Sequence, residues 1–321
     1  MSAEISILSG VAEVAYRGTV PWHGLGQPVI DPTASVEIWA QAAHLTWNIR
    51  ETPLQTTQGL ECPEWKALVR DDVEKALWIV RQTYRTVQPR QLLDFFQELG
   101  REGVQMETLG ALRDGRTIWG LGRIPGHAQL RDDDHVLQYL LFATSYDCTL
   151  STIVRRTTVR VVCANTLEAA MNTGTAHNRT THGAVFDFQR ALAAARAALS
   201  NSEPFHQFAT AAKELSTRIL SREELIQFFV QCLWPQASAA ALQDNPRASK
   251  QLANLVQIYE TAPGQGLSSA HGTAWGAVNA VTYLVDHQRG RTPNTRLQSA
   301  FFDEGRKLKD RAWHHALAMV A

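Results

Sequence analysis

The sequence predicts an α+β protein: an antiparallel sheet domain with helices over residues 1–173, followed by an all-helical domain over residues 174–321. Three observations carry this reading. Runs rich in Val, Ile, Thr and aromatic residues recur up to about residue 163, then give way to apolar residues at helical spacing. Two pairs of such runs are joined by short polar turns, Asp71–Lys75 and Arg113-Asp114-Gly115, the second with the Asp-Gly step that favours hairpins. Hydrophobic residues make up 45% of the chain and charged residues 19%, the balance of a globular protein.

Residues 1–34 are punctuated by Gly and Pro around Trp22 and His23 and read as irregular. Ser35 is placed to cap a short helix with Val36, Trp39, Ala40 and Ala43 on one face. Strands are expected over 46–55, 65–70 and 77–84. Gln88-Pro89 opens a helix whose buried stripe is Leu92, Leu93, Phe96 and Leu99, ending at Gly100. A hairpin follows, 104–112 with 117–123, and then a loop, RIPGHAQLRDDD.

The central stretch is Leu137 to Met171. It reads as an apolar strand, a Ser145-Tyr146-Asp147 turn, a Thr- and Val-rich strand over 149–162, and a helix start capped by Asn165 or Thr166. This order, with the preceding hairpin, gives a β-β-β-α-like core. Beyond residue 174 helices are expected at 188–199, 205–215, 222–233, 248–260, 273–287 and 296–319.

The second central strand carries the candidate site. Side chains alternate faces, so Thr152, Val154, Arg156, Thr158 and Arg160 share one side. The other side, with Ile153, Val159 and Val161, is the more apolar and is expected to meet the core, with Arg155 among it. Arg156 and Arg160 would then stand in solvent roughly 13 Å apart. No acid lies between Thr149 and Asn165 to neutralise them. A guanidinium fork matches phosphate oxygens. Arg155, Arg179 and Lys66 are further candidate contacts. Trp22, Tyr84 and Trp119 are candidate stacking residues, because base stacking tolerates any sequence.

Composition bounds the partner. With 31 basic and 31 acidic residues the formal net charge is zero, so nucleic acid would need a local basic stripe. Four cysteines, Cys62, Cys148, Cys163 and Cys232, form no C-x-x-C pair, which points to reduced thiols and to neither zinc nor a disulfide scaffold. The first ten residues lack a signal pattern and no apolar run reaches membrane-span length, so a soluble intracellular protein is expected.

No P-loop, G-x-S-x-G or H-E-x-x-H motif occurs, and no cofactor is expected. Gly120-Leu121-Gly122 follows a strand but opens no helix, so it is not a dinucleotide loop. Asp132-Asp133-Asp134-His135 has the residue types of a magnesium-dependent nuclease, but the run reads first as a hydrated acidic turn, as such runs usually are. His177 and His182 sit in a polar linker. Trp275, Asn279 and Thr282 share a helix face that reads as a packed core.

Five segments resemble a known family: AYRGTVPWHGLGQPV, YRTVQPRQLLDFFQ, TTVRVVCANTL, GTAWGAVNAVTYLVDH and GRKLKDRAW. In this order they are similar to the phage/plasmid-like protein family, catalogued as a domain of unknown function. That resemblance implies a mobile-element protein in the cytoplasm of a bacterial host and supplies no catalytic residue. The element order around the central strands also resembles single-strand annealing proteins of the Red-beta, RecT and Erf kind. Those form rings or filaments on single-stranded DNA.

The resulting expectation is a non-enzymatic protein of a phage or plasmid. It would bind and anneal single-stranded DNA as a homo-oligomer, without metal or cofactor, in recombination or element establishment. Two alternatives stand beside it: a protein-binding module that shields the element from host defence, and a metal-dependent nuclease built on Asp132–His135 and Asp147.

Overall fold

The computed structural model describes residues 5–18, 25–131, 134–160, 165–167, 178–180, 187–236, 245–289 and 304–321, with 159, 160, 165–167 and 178–180 described through their backbone. Sheets dominate the N-terminal half and helices the C-terminal half, an α+β architecture. The chain forms two compact units. One comprises Met1–Pro125, Tyr139–Arg156 and Thr175–Ser200; the other comprises Gly126–Gln138, Thr157–Gly174 and Asn201–Ala321.

The first unit begins with short strands β1 (Ile7–Leu8), β2 (Val11–Ala12), β3 (Val14–Tyr16) and β4 (Gln27–Pro28). The expectation of an irregular N-terminal segment is corrected here. Val14, Ala15 and Tyr16 are buried, and β3 pairs with β4 on one side and β8 on the other. Three residues are too few to show alternation, so only the sheet reveals them.

Helix α1 (Val36–Ala42) starts after Ser35 as expected. Strands β5 (Ile49–Gln55), β6 (Glu61–Arg70) and β7 (Lys75–Arg81) make a three-stranded antiparallel sheet. Helix α2 (Pro89–Gly100) follows, opened by a capping box between Gln88 and Gln91. Then come β8 (Gln105–Leu112), β9 (Thr117–Gln129), β10 (His135–Ser145) and β11 (Thr152–Arg160). Their sheet runs in the order β11-β10-β9-β8-β3-β4, with β13 (Asn178–Thr180) also on β11. Helix α3 (Phe188–Ser200) completes this unit.

The core of this unit joins all these layers. Ile49, Leu68, Leu77 and Val80 face inward from the small sheet, and Leu92, Phe95, Phe96 and Leu99 from α2. Leu109, Ile118, Leu140 and Phe142 come from the large sheet, and Leu192 from α3. Gly120-Leu121-Gly122 has a packing role. A Cβ at Gly122 would lie 2.6 Å from Val104 and 2.7 Å from the Phe96 ring, and one at Gly120 2.8 Å from that ring. Two glycines on β9 let α2 close onto the strand.

A buried ion pair lies inside this unit. Arg70 and Glu13 are 2% and 0% exposed and meet through both guanidinium nitrogens and both carboxylate oxygens. Arg70 also donates to Asp72 at 2.7 Å and 2.8 Å, and its guanidinium lies 4.3 Å from the Trp47 ring centroid. Burial alone would depress the Arg70 guanidinium; its bonds to Asp72 and Glu13 overcome this and hold it further up.

Three expectations are corrected in this region. β9 continues to Gln129, so RIPGHAQ is strand and not loop, with Ile124 and Ala128 alternating inward. Asn165 and Thr166 do not cap a helix. They lie in β12 (Asn165–Leu167), which turns back antiparallel onto β11 with Thr158 opposite Leu167. The strand at 178–180 also extends sheet pairing past residue 174. Each segment lacks an intrinsic signal and is held by the ladder of a neighbouring strand.

The second unit is mostly helical, with α4 (Glu203–Leu215), α5 (Arg222–Leu233), α6 (Pro246–Thr261), α7 (Ala274–Tyr283) and α8 (Glu304–Leu317). A π-helical turn, Leu284–Gln288, continues α7. The core gathers Phe205 and Phe208, Phe228 and Phe229, Leu255, Trp275 and Val278, and Leu308 and Trp313, with Leu130 and Val136 beside them. Trp275, Asn279 and Thr282 are buried, as the packed-core reading holds. Asn279 donates to the Trp275 carbonyl at 2.8 Å, and Thr282 to the Val278 carbonyl at 2.9 Å. A buried Lys309–Asp286 pair at 2.9 Å ties α8 to the π turn. No helix is long and apolar enough to cross a membrane among the described residues.

Two predictions follow from the first unit. Arg70→Ala leaves Glu13 buried and uncompensated, so the urea unfolding midpoint should fall by the equivalent of about 3–5 kcal/mol. Glu107 receives the Tyr139 hydroxyl at 2.7 Å, yet burial raises its carboxyl above the ordinary range despite that bond. The folded state therefore holds this proton more tightly than the unfolded chain. Its contribution is full below about pH 4.3 and is lost as pH rises through the raised value. Melting temperatures of Glu107→Gln, taken relative to wild type, should rise between pH 4 and pH 7.

Candidate nucleic-acid interface

The arginine-bearing strand is covered on both faces. Thr152, Ile153, Val154, Arg156, Thr157 and Thr158 are all buried, and Arg155 is half-buried. Val154 belongs to the hydrophobic core, and Arg156 donates to the carbonyl of Ala198 in α3. Burial also lowers the Arg156 guanidinium from its ordinary value. This corrects the expectation that the even-numbered side stands in solvent. Parity located the two faces, but α3, whose Ala198 lies 42 residues beyond Arg156, covers one of them.

The remaining sequence-derived residues are dispersed. Lys66 is 5% exposed; its ammonium donates to Glu51 at 2.7 Å and to the Tyr84 carbonyl at 2.9 Å. Tyr84 and Trp119 are 5% and 3% exposed, which corrects their reading as exposed aromatics. The Tyr84 hydroxyl donates to the Ser145 carbonyl at 2.8 Å, linking β10 to the segment after β7. The backbone of Arg179 pairs with that of Ile153. The side chains of Arg160 and Arg179, and residues Trp22, His23, Cys163, His177 and His182, lie outside the described residues.

The acidic turn is partly structural. Asp134 is buried, and its Oδ2 accepts from Ser269 at 2.6 Å and from the Trp275 indole at 3.1 Å. Asp132 and Asp133 lie outside the described residues. Asp147 pairs with Arg113 at 2.9 Å and accepts from Thr149 at 2.6 Å. Among the described residues, no three His, Cys, Asp or Glu side chains come close enough to hold a metal ion. Cys148 is exposed and Cys232 buried; burial pushes the Cys232 thiol up to about 12 and also raises that of Cys148.

The surface that stands out is the outer face of the β5-β6-β7 sheet. Its inner face supplies Ile49, Leu68 and Val80 to the core, so alternation turns Trp65, Ile79 and Arg81 outward. Trp65 is 39% and Ile79 52% exposed. Trp65 and Arg81 are directly opposite across the β6–β7 ladder, and the Arg81 guanidinium lies 4.9 Å from the Trp65 ring centroid. Arg50 lies opposite Val69 on the same side and pairs with Glu74.

A bulge on β7 between the partners of Leu68 and Val69 exposes a second indole. Trp78 is 45% exposed, with the Arg116 guanidinium 5.7 Å from its centroid. Arg81 and Arg85 have no carboxylate within ion-pair distance among the described residues. The sequence marks 65–70 and 77–84 as strands of a hairpin and does not single out Trp65, Trp78 or Arg81. In W-K-A-L-V-R, Trp65 shares its side with Ala67 and Val69, and Lys66, Leu68 and Arg70 share the other, so parity alone does not mark which side is exposed.

The model of a family described as "Domain of unknown function (DUF932)" matches residues 76–313. No curated protein and no solved structure matches the chain.

Removing Arg156 should therefore act on folding. Arg156→Ala takes the donor from the half-buried Ala198 carbonyl and should destabilise by about 1–3 kcal/mol. Arg155→Ala, at a half-buried position, should cost less. Urea denaturation of both variants checks the order.

Proposed function

The chain belongs to the DUF932 family, and on that premise we propose that it binds single-stranded DNA without catalysis, through the outer face of the β5-β6-β7 sheet. The observation that carries this is the exposed Trp65 beneath Arg81. An open sheet bearing an indole offers a stacking platform for any base, and an adjacent guanidinium offers its fork to the neighbouring phosphate. Arg81 also holds the ring in place by cation–π attraction, so the platform is ordered before a strand arrives. Trp78 beside Arg116 repeats the combination.

Arg155 supplements this face in the proposal. Arg156 and Lys66 would have to exchange their contacts with Ala198, Glu51 and Tyr84 for phosphate, at the cost of buried polar groups. Arg160, Arg179 and Trp22 remain proposed contacts on sequence grounds. The annealing role, a homo-oligomeric ring or filament, a β-β-β-α core like that of annealing proteins, the division at residue 173, and action on a phage or plasmid in bacterial cytoplasm all form part of the same proposal.

A second reading is supported by charge. Residues 49–85 hold six basic and six acidic side chains. Leu60, Trp65, Val73, Trp78 and Ile79 are each exposed along its strands and turns. An apolar, near-neutral patch rich in Trp is also what a protein partner buries.

The test is fluorescence titration with a labelled oligothymidylate at several salt concentrations. Trp65→Ala should weaken binding by about tenfold or more, since stacking is worth ~1–3 kcal/mol per base. Arg81→Ala should flatten the salt dependence by about 0.7 in log–log slope. Both positions are exposed, so thermal melts should be unchanged within about 0.5 kcal/mol. Unchanged binding in the folded variants removes this face as the site, and no binding by the wild type at low salt favours the protein partner.

A further inference from the structure

The second unit holds a cleft of about 570 Å³ between the end of β9 and helix α4. Strand alternation sets its near wall. Ala128 and Leu130 point into the core, and His127, Gln129 and Arg131 point out. The far wall is one face of α4, where His206, Ala209 and Lys213 recur at spacings of three and four. Phe205, 4% exposed, closes the floor.

Two cationic side chains, Arg131 and Lys213, and two imidazoles, His127 and His206, thus converge beside the Gln129 amide, and no carboxylate lines the cleft among the described residues. Arg131 is anchored by a 3.4 Å bond from one guanidinium nitrogen to the Ser216 carbonyl, while the residue remains exposed. The His127 ring is steadied by the edge-on ring of His135, 5.2 Å away. Asp132 and Asp133 follow Arg131 directly in sequence and lie outside the described residues.

We propose that this cleft binds a phosphate-bearing ligand. Arg131 supplies a fork for two phosphate oxygens, Lys213 a point charge, and the imidazoles of His127 and His206 further donors. The volume falls in the range of small-molecule sites and exceeds what one phosphate fills, so the ligand carries at least two phosphates or a nucleoside. A free polyphosphate, a nucleotide and the 5′ end of a DNA strand share this chemistry. The site is independent of the Trp65 face, since none of its residues belongs to that sheet.

Calorimetric titration with pyrophosphate, adenosine diphosphate and a 5′-phosphorylated oligothymidylate separates these sources. The expected result is saturable one-to-one binding of pyrophosphate to the full chain at low salt. Affinity should fall about tenfold or more in the Arg131→Gln/Lys213→Gln double variant, because charge-assisted bonds contribute ~1.5–3 kcal/mol each. Both residues are exposed, and Lys213→Gln alone, on a helix surface, should retain the wild-type melt with a smaller loss. Trp65→Ala should leave pyrophosphate binding unchanged, which keeps the two sites distinguishable. Tighter binding of the oligonucleotide than of pyrophosphate, lost when its 5′-phosphate is removed, assigns the cleft to a strand end. Tighter binding of the diphosphate assigns it to a nucleotide. Absence of saturable heat with all three probes, or equal affinity in the double variant, overturns the proposal.

Discussion

The first unit depends on one buried ion pair. Glu13 stands directly before β3 of the large sheet, and Arg70 ends β6 of the small one. Two charged groups, each almost wholly withdrawn from water, are tolerable only because every nitrogen of the guanidinium finds an oxygen or an aromatic face. Glu13 takes one edge, Asp72 another, and Trp47 lies against the plane. Such a pair adds little net stability over a hydrophobic substitute, but it tolerates no other register. It holds the inner side of β6 against the large sheet, and the pleat then fixes which side chains face outward. Trp65 and Ile79 are exposed as a consequence.

Neighbouring polar contacts extend this clamp. Lys66 reaches the carbonyl of Tyr84, whose hydroxyl reaches Ser145, and the Tyr146 hydroxyl reaches the Val87 carbonyl. Asp147 fastens Arg113 beside the same turn. The S-Y-D segment is thus a polar seam at the end of β10. Its acids and hydroxyls are taken up by these contacts within the fold. The second unit repeats the theme with Asp134, whose carboxylate is taken up by Ser269 and Trp275.

Electrostatics separates the two proposed surfaces. The Trp65 face lies on a stretch with six basic and six acidic side chains and, in the proposal, would act mainly through stacking, which salt screens weakly. The β9–α4 cleft is cationic within a chain of zero net charge. A formal balance of charges therefore conceals a local asymmetry, and local potential governs which anions are gathered.

Periodicity determined much of this protein by itself. The α2 stripe, the two hairpins and the helices of the C-terminal half are set by local spacing, capping residues and turn chemistry, all written within a few residues of each other. Tertiary structure alone decided what covers each face. Arg156 is buried because α3 lies on its side of β11, Val14–Tyr16 is a strand because β8 and β4 flank it, and Gln129 extends β9 through pairing. The same holds for both candidate sites. Trp65 meets Arg81 across a ladder, and His127 and Arg131 meet His206 and Lys213 across more than 70 residues of sequence. A pattern of alternation states that two faces differ. Which of them water reaches is settled by partners distant in sequence, and no local preference encodes them.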